Sequence, residues 1–333
     1  MTSGNSSPAS PEVASLATYS AEDVRHWLGY PDCITAVGAA MAGLSAEGRE
    51  QPLRSITTLE PGKLFALMPG VAAGDTGFGA KVLSVFDDPQ RPGRSTHRGG
   101  VLLFDRHTGA ALCVADAHEI TRIRTACASA VATAALARDD ARVLAIFGTG
   151  TQAESHVHAL RHVRTFERIL VWGRSADTAR AFAARLRAET GADIRAVQDP
   201  AEAAGQADVI CTTTGSATPV LRHAWLKPGT HVNAVGSSFP GPVEVDDATV
   251  VASRFIADSR RSALAAAAEF LRARAAGLID DSHIVAEIGE VLLGRVPGRT
   301  DTTQLTLYKS LGHVVQDLAA TACVHRRATG DPA

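Results

Sequence analysis

Apolar and polar positions along the chain follow two regimes that change after about residue 137. In the first, a helical pattern runs from Tyr19 to Met41, with Ser20 as N-cap and Asp23 in the capping-box position. Strand-like runs follow: RSITTL, GFGAKVLSVF, GGVLLFD and ALCVAD, separated by the turn clusters PQRPGRS and RHTG. Successive strands with short turns predict a mainly antiparallel sheet. An Ala-rich helix spans roughly Arg122 to Ala137. In the second regime the short apolar runs RVLAIF, RILVWG, ADVICTT, THVNAVG and SRFIAD alternate with helical stretches such as ADTARAFAARLRAET. That alternation predicts a doubly wound parallel sheet. The final stretch, TLYKSLGHVVQDLAATA, reads as helical and is expected to pack back on the N-terminal region rather than extend the sheet. The fold class expected is α/β: a Rossmann sheet plus an N-terminal α+β domain completed by a C-terminal helix. The expected boundaries are a disordered tail over 1–18, a first domain over 19–121, a nucleotide-type domain over 122–304 and a returning helix over 305–333.

Composition narrows the function classes. A formal net charge of −2 gives no general pull toward nucleic acid or anionic membrane, and no apolar run reaches bilayer length. The five cysteines (Cys33, Cys113, Cys127, Cys211, Cys323) have no CxxC or other metal-ligand spacing, which points to reduced thiols in a cytoplasmic protein with no metal site. The opening MTSGNSSPASPEVAS lacks the basic and apolar regions of a signal peptide.

One residue does not fit its surroundings. The chain has 33 Lys and Arg together, and only four of them are lysines (Lys63, Lys81, Lys227, Lys309). Lys81 lies within the apolar run GFGAKVLSVF, and at strand period it shares a face with Gly79, Leu83 and Val85. Such a lysine either lays its stem on an apolar patch and reaches water, or works inside a cleft.

The run RVLAIF leads into Gly148-Thr149-Gly150-Thr151-Gln152-Ala153 and then a helix. This GxGxxA between strand and helix is the context a dinucleotide needs. Gly148 permits the tight turn, Gly150 lets the backbone approach the pyrophosphate, and Ala153 lets helix and strand pack closely. The second strand ends at Gly173-Arg174-Ser175 rather than at an acidic residue. Arg174 and Ser175 suit a 2′-phosphate, so NADPH is expected over NADH, with NADH still possible. Thr213 and Thr214 after ADVIC, and Val235, Gly236, Ser237 and Ser238 after THVNA, fall at strand carboxyl ends where cofactor contacts are expected.

The segments GFGAKVLSVF, GGVLLFDRHTG, EITRIRTACASAVA, IFGTGTQA, WLKPGTHVNAVGSSFP, PGR and YKSLGHVVQD, in their order and spacing, resemble the ornithine cyclodeaminase/mu-crystallin family over almost the whole chain. The resemblance implies a first domain that binds substrate and forms a homodimer. It implies that Lys81 faces the substrate and that Arg54 and Arg124 hold its carboxylate. It further implies cofactor contacts at Thr96, Thr125, Thr151, Gln152 and Ser310, with Leu311 closing over the substrate. An α-amino or α-imino acid needs its carboxylate fixed so that the α-carbon faces nicotinamide, and two guanidinium forks with a lysine suit that task.

The chain departs from the family's cyclodeaminases at Ser238, where they carry an acid–base aspartate. A serine cannot shuttle protons near neutral pH as a carboxylate does. Glu244 and Asp246 lie nearby as substitutes, and His97 and His313 as proton relays. The expected function is an NAD(P)H-dependent reductase of cyclic α-imino acids of the Δ1-pyrroline-2-carboxylate or Δ1-piperideine-2-carboxylate type. The alternatives are an ornithine or lysine cyclodeaminase, an amino-acid or secondary-amine dehydrogenase, and a non-catalytic NADP-binding protein.

Overall fold

The computed structural model describes residues 16–87, 95–239 and 241–330. The chain begins with strand β1 (Ala17–Tyr19), helix α1 (Ala21–Trp27) and helix α2 (Tyr30–Glu47). Ser20 caps α1 in a reciprocal box with Asp23, as its sequence implies. The single helix expected over 19–41 is two helices. The chain leaves the helical region at Leu28 and Gly29, which cap α1 and α2, and Pro31, which has no N–H to give back to α1, sits in the first turn of α2. Ala17 and Thr18, expected in the tail, pair in parallel with Cys113 and Val114 as part of β1. Residues 1–15 of that tail, and most of the turn cluster at 89–95, lie outside the described residues.

Strands β2 (Ser55–Glu60), β3 (Lys63–Val71), β4 (Phe78–Asp87), β5 (Ser95–Phe104) and β6 (Ala111–Asp116) complete a six-stranded sheet in the order β1-β6-β5-β4-β3-β2. All neighbours except β1–β6 are antiparallel. The hydrophobic period does not pick out β3, whose Pro69 and Gly70 interrupt it. Helix α3 (Ala117–Leu136), capped by Asp116, runs without a break through the boundary expected at 122.

The second half supplies β7 (Val143–Phe147), α4 (Thr151–Leu160), β8 (Arg168–Trp172), α5 (Ala176–Thr190), β9 (Ile194–Ala196), α6 (Pro200–Gln206), β10 (Val209–Thr212) and β11 (His231–Ala234). It continues with α7 (Asp247–Ala252), β12 (Arg254–Ala257), α8 (Arg260–Ala266), α9 (Ala268–Ala275), β13 (Ile284–Glu287), α10 (Ile288–Leu292), β14 (Thr306–Lys309) and α11 (Val314–Thr329). The eight strands form an all-parallel sheet in the order β13-β12-β14-β11-β10-β7-β8-β9.

The expectation for the last stretch needs correction. Thr306–Lys309 is not helical; it is a central strand between β11 and β12, buried at all four positions. Only α11 turns back, and there it shares a core with α1, α2, α3 and the inner face of the first sheet. A strand covered on both faces shows no alternation, and its one lysine disguises it further. Among the described residues no helix is long and apolar enough to cross a membrane.

Candidate active site

The first sheet, α3 and α11 meet the carboxyl ends of β11 and β14, and four charged side chains converge there. Lys81 projects from β4 and is 3% exposed; its Nζ lies 2.9 Å from Asp317 Oδ2 and 3.0 Å from Oδ1, on α11. Arg124 of α3 donates through Nε to Asp317 Oδ1 at 2.8 Å and through Nη1 to Gln316 Oε1 at 2.9 Å. Arg54, just before β2, donates to the carbonyl oxygens of Leu311 at 2.5 Å, Gly312 at 3.1 Å and Ser238 at 3.3 Å. Arg54 thus ties the first domain to two loops of the parallel sheet. Gly312 has φ +82°, and a Cβ there would stand 2.9 Å from Arg124 Nη1 and Nη2, so the glycine makes room for the guanidinium.

The charges set one another. Burial lowers the Lys81 pKa, Asp317 pulls it back, and the balance is about 8. Burial pushes the Asp317 carboxyl up, but Arg124 and Lys81 more than reverse this and hold it below its ordinary value. Asp258, at the end of β12, accepts from the backbone N–H of Leu311 and of Gly312, each at 2.7 Å. Burial nevertheless raises its pKa. Three cations therefore surround one directly paired carboxylate, and the excess positive charge suits an anionic ligand.

Thr121 of α3 joins this cluster to the glycine loop. Its hydroxyl accepts from Lys81 Nζ at 3.4 Å and its carbonyl accepts from Gln152 Nε2 at 3.4 Å. Gly148, at φ +134°, has no room for a Cβ, which would come within 2.6 Å of Thr213 Oγ1. A Cβ on Gly150 would meet nothing within 4 Å, so open space lies over the first turn of α4, which begins at Thr151. A strand end, a backbone kept bare and a helix N-terminus facing open space fit a dinucleotide pyrophosphate.

The remaining expected residues distribute around this centre. Thr213 donates to Phe147 O at 3.1 Å, and Val235 N bonds Thr212 O. Thr125, Ser310 and Leu311 are buried; Ser310 N bonds Ala234 O. Arg174 and Ser175 are exposed at the end of β8, where Ser175 also caps α5. Thr96 pairs with Phe86 in β5, while its side chain and that of His97 lie outside the described residues.

Neither alternative carboxylate is available to substrate. Glu244 accepts from Thr212 Oγ1, from Thr214 N and Oγ1 and from Gly236 N at 2.6–2.9 Å. It pins the loops after β10 and β11 together. Asp246 caps α7. His313 caps α11, and burial lowers its pKa to about 4, so it is neutral at physiological pH.

Beside Glu244 lies a second charged cluster. Lys309 Nζ stands 2.5 Å from Ser237 Oγ and 2.9 Å from Glu269 Oε2, while Glu269 also accepts from the Ser237 hydroxyl and from Glu244 N. Sequence reasoning assigned no role to Asp317, Gln316, Thr121, Asp258, Glu269 or Lys309. The available signal for Gln316 and Asp317 was a polar pair in the otherwise apolar VVQDLAATACV.

A family model described as the ornithine cyclodeaminase/mu-crystallin family matches residues 16–331. The chain belongs to that family. It is 32% identical over 315 residues to Delta(1)-pyrroline-2-carboxylate reductase of Bacillus cereus, covering 94% of this chain and 97% of the relative. It is 34% identical over 314 residues to ketimine reductase mu-crystallin of Mus musculus, covering 93% and 96%. The solved structure of Thermococcus litoralis Delta(1)-pyrroline-2-carboxylate reductase in complex with NADH and L-proline superposes with a TM-score of 0.89 at 29% identity, covering 95% of this chain and 98% of that one. The carbonyl of Ser238 is an acceptor for Arg54.

Proposed function

We propose that the protein is an NAD(P)H-dependent reductase of cyclic α-imino acids, with NADPH the preferred cofactor. The observation that carries this is the gathering of Arg54, Lys81 and Arg124 in one buried cluster, with no carboxylate at position 238. Arg54 at present spends its N–H groups on neutral carbonyls; a substrate carboxylate is the stronger, charge-assisted acceptor and displaces them. Arg124, anchored through Nε to Asp317 and through Nη1 to Gln316, presents Nη2 to the same group. Lys81, charged at neutral pH, donates a proton or hydrogen bond to the imine nitrogen. The dinucleotide supplies the hydride that reduces the α-carbon, and the C=N electron pair becomes the nitrogen lone pair that takes the proton. Cyclodeamination additionally requires proton removal from an amine and loss of ammonia, for which the site offers no free carboxylate.

The exposed Arg174 supports the NADPH preference. Ile56, Leu59 and Phe65, exposed on β2 and β3, support pairing of two copies through the first sheet. The test follows nicotinamide absorbance with NADPH or NADH and Δ1-pyrroline-2-carboxylate or its six-membered homologue. A parallel reaction with ornithine or lysine and NAD+ is assayed for ammonia. Stoichiometric NADPH loss with the imine is the expected result; ammonia release without net cofactor change overturns it.

A further inference from the structure

Asp317 is wholly buried and reaches both Lys81 and Arg124 from a helix 236 and 193 residues away in sequence. Both of its oxygens lie against cations, Oδ1 against Lys81 and Arg124 and Oδ2 against Lys81, so the carboxylate is committed to the protein's own charges. We propose that Asp317 is the positioning residue of the site, aiming the Lys81 ammonium and the Arg124 fork at one substrate and keeping the lysine charged inside an apolar enclosure. The inference deepens the imine-reductase reading and rests on it for the identity of the substrate.

The geometry explains why one carboxylate must do this. Lys81 sits among the positive charges of Arg124 on α3 and Arg54 before β2, and burial in the core around α11 also disfavours its charge. Other titratable groups that act on Asp317 and the two arginines are His313 at the start of α11, which is neutral, Cys33 on α2, and Asp258, whose oxygens are taken by backbone N–H groups. Asp317 is the carboxylate in direct contact. Without it, burial and two guanidinium groups act on Lys81 unopposed, and the ammonium loses its proton at lower pH. Arg124 loses the partner of its Nε at the same time and is left held by Gln316 through Nη1 alone.

The chain has four lysines, so a protein labelled with 13C at the lysine ε-carbon gives few enough signals to titrate each. That titration is performed on wild type, Asp317→Asn and Asp317→Glu, alongside the pH profile of kcat/KM for NADPH oxidation with Δ1-pyrroline-2-carboxylate. Folding is checked by circular dichroism. In Asp317→Asn the Lys81 midpoint and the alkaline limb of the profile are both expected to move toward acid, by roughly one to three pH units. KM for the imine is expected to rise, and Asp317→Glu is expected to recover most of the shift. A folded Asp317→Asn protein whose Lys81 titrates as in wild type overturns the inference. If wild type turns over no cyclic imine but the Lys81 midpoint still moves, the proposed function fails and the hold of Asp317 on Lys81 stands.

Discussion

Two buried lysines, Lys81 and Lys309, show how the same side chain serves opposite ends. Lys309 sits at the end of a central strand, 0% exposed, with Glu269 in contact, Glu244 beyond it and Ser237 between. Burial pushes the Glu269 carboxyl up, but Lys309 and Ser237 lead the forces that bring it below its ordinary value. That cluster, with two carboxylates around one lysine, has no positive charge to spare and holds loops. Lys81 shares its single direct carboxylate with Arg124 and lies near a third cation. That cluster is short of negative charge by construction. A closed cluster belongs to the scaffold; an open one waits for an anion.

Substituting the two lysines tests the contrast most directly. Lys81→Met is expected to lower kcat/KM for imine reduction by about a thousandfold, the usual scale for losing a positioned acid. Its stability is expected to hold or rise, because Asp317 keeps Arg124 and a charge that burial disfavours is gone. Lys309→Met is expected to do the reverse first. Leaving Glu269 buried without its cation should cost about 3–5 kcal/mol, read as a lower denaturation midpoint, with Lys309→Met/Glu269→Gln recovering part of it. Equal stability losses in both single variants would erase the distinction.

The pH dependence of stability sharpens the comparison at a smaller scale. The Lys81 pKa falls from 10.5 unfolded to about 8 folded. Below pH 8 both states hold the proton and the folded state bears the full burial penalty. Between about pH 8 and 10.5 the unfolded state binds more protons, so this residue's contribution to stability rises with pH. Wild type measured against Lys81→Met should gain up to about 3 kcal/mol across that window, while the alkaline side of the activity profile falls. An activity loss that instead tracks unfolding would assign the limb to the wrong cause.

The two lysines also mark how far the sequence could be read. Lys81 is conspicuous because it interrupts a long apolar strand, and the glycine loop carries its own context of strand and helix. Lys309 passes unnoticed because TLYK is too short to show a period, and Glu269, which makes a buried lysine tolerable, lies 40 residues earlier on a helix of unremarkable composition. Asp317 is hidden for the same reason: its partners are assembled by the return of α11 and not by spacing. Local pattern identifies elements and turn chemistry; charge balance exists only after the chain has folded.

The smallest expected effect concerns the far end of the cofactor site, where neither cluster reaches. Arg174 is exposed after β8, and Ser175 next to it is already engaged as a helix cap. A guanidinium there can meet a 2′-phosphate only in partly solvated surroundings, so its contribution is that of one well-aimed surface charge pair and not of a buried one. Arg174→Ala is expected to raise KM for NADPH by about tenfold, equivalent to roughly 1.4 kcal/mol. KM for NADH and the pH limb set by Lys81 should stay where they are. Salt should weaken the wild-type preference and leave the variant indifferent, since an exposed pair is screened within about 10 Å at 0.1 M ionic strength. If the variant loses NADPH and NADH affinity together, Arg174 supports the loop and does not read the phosphate, and the preference must come from elsewhere along β8 and α5.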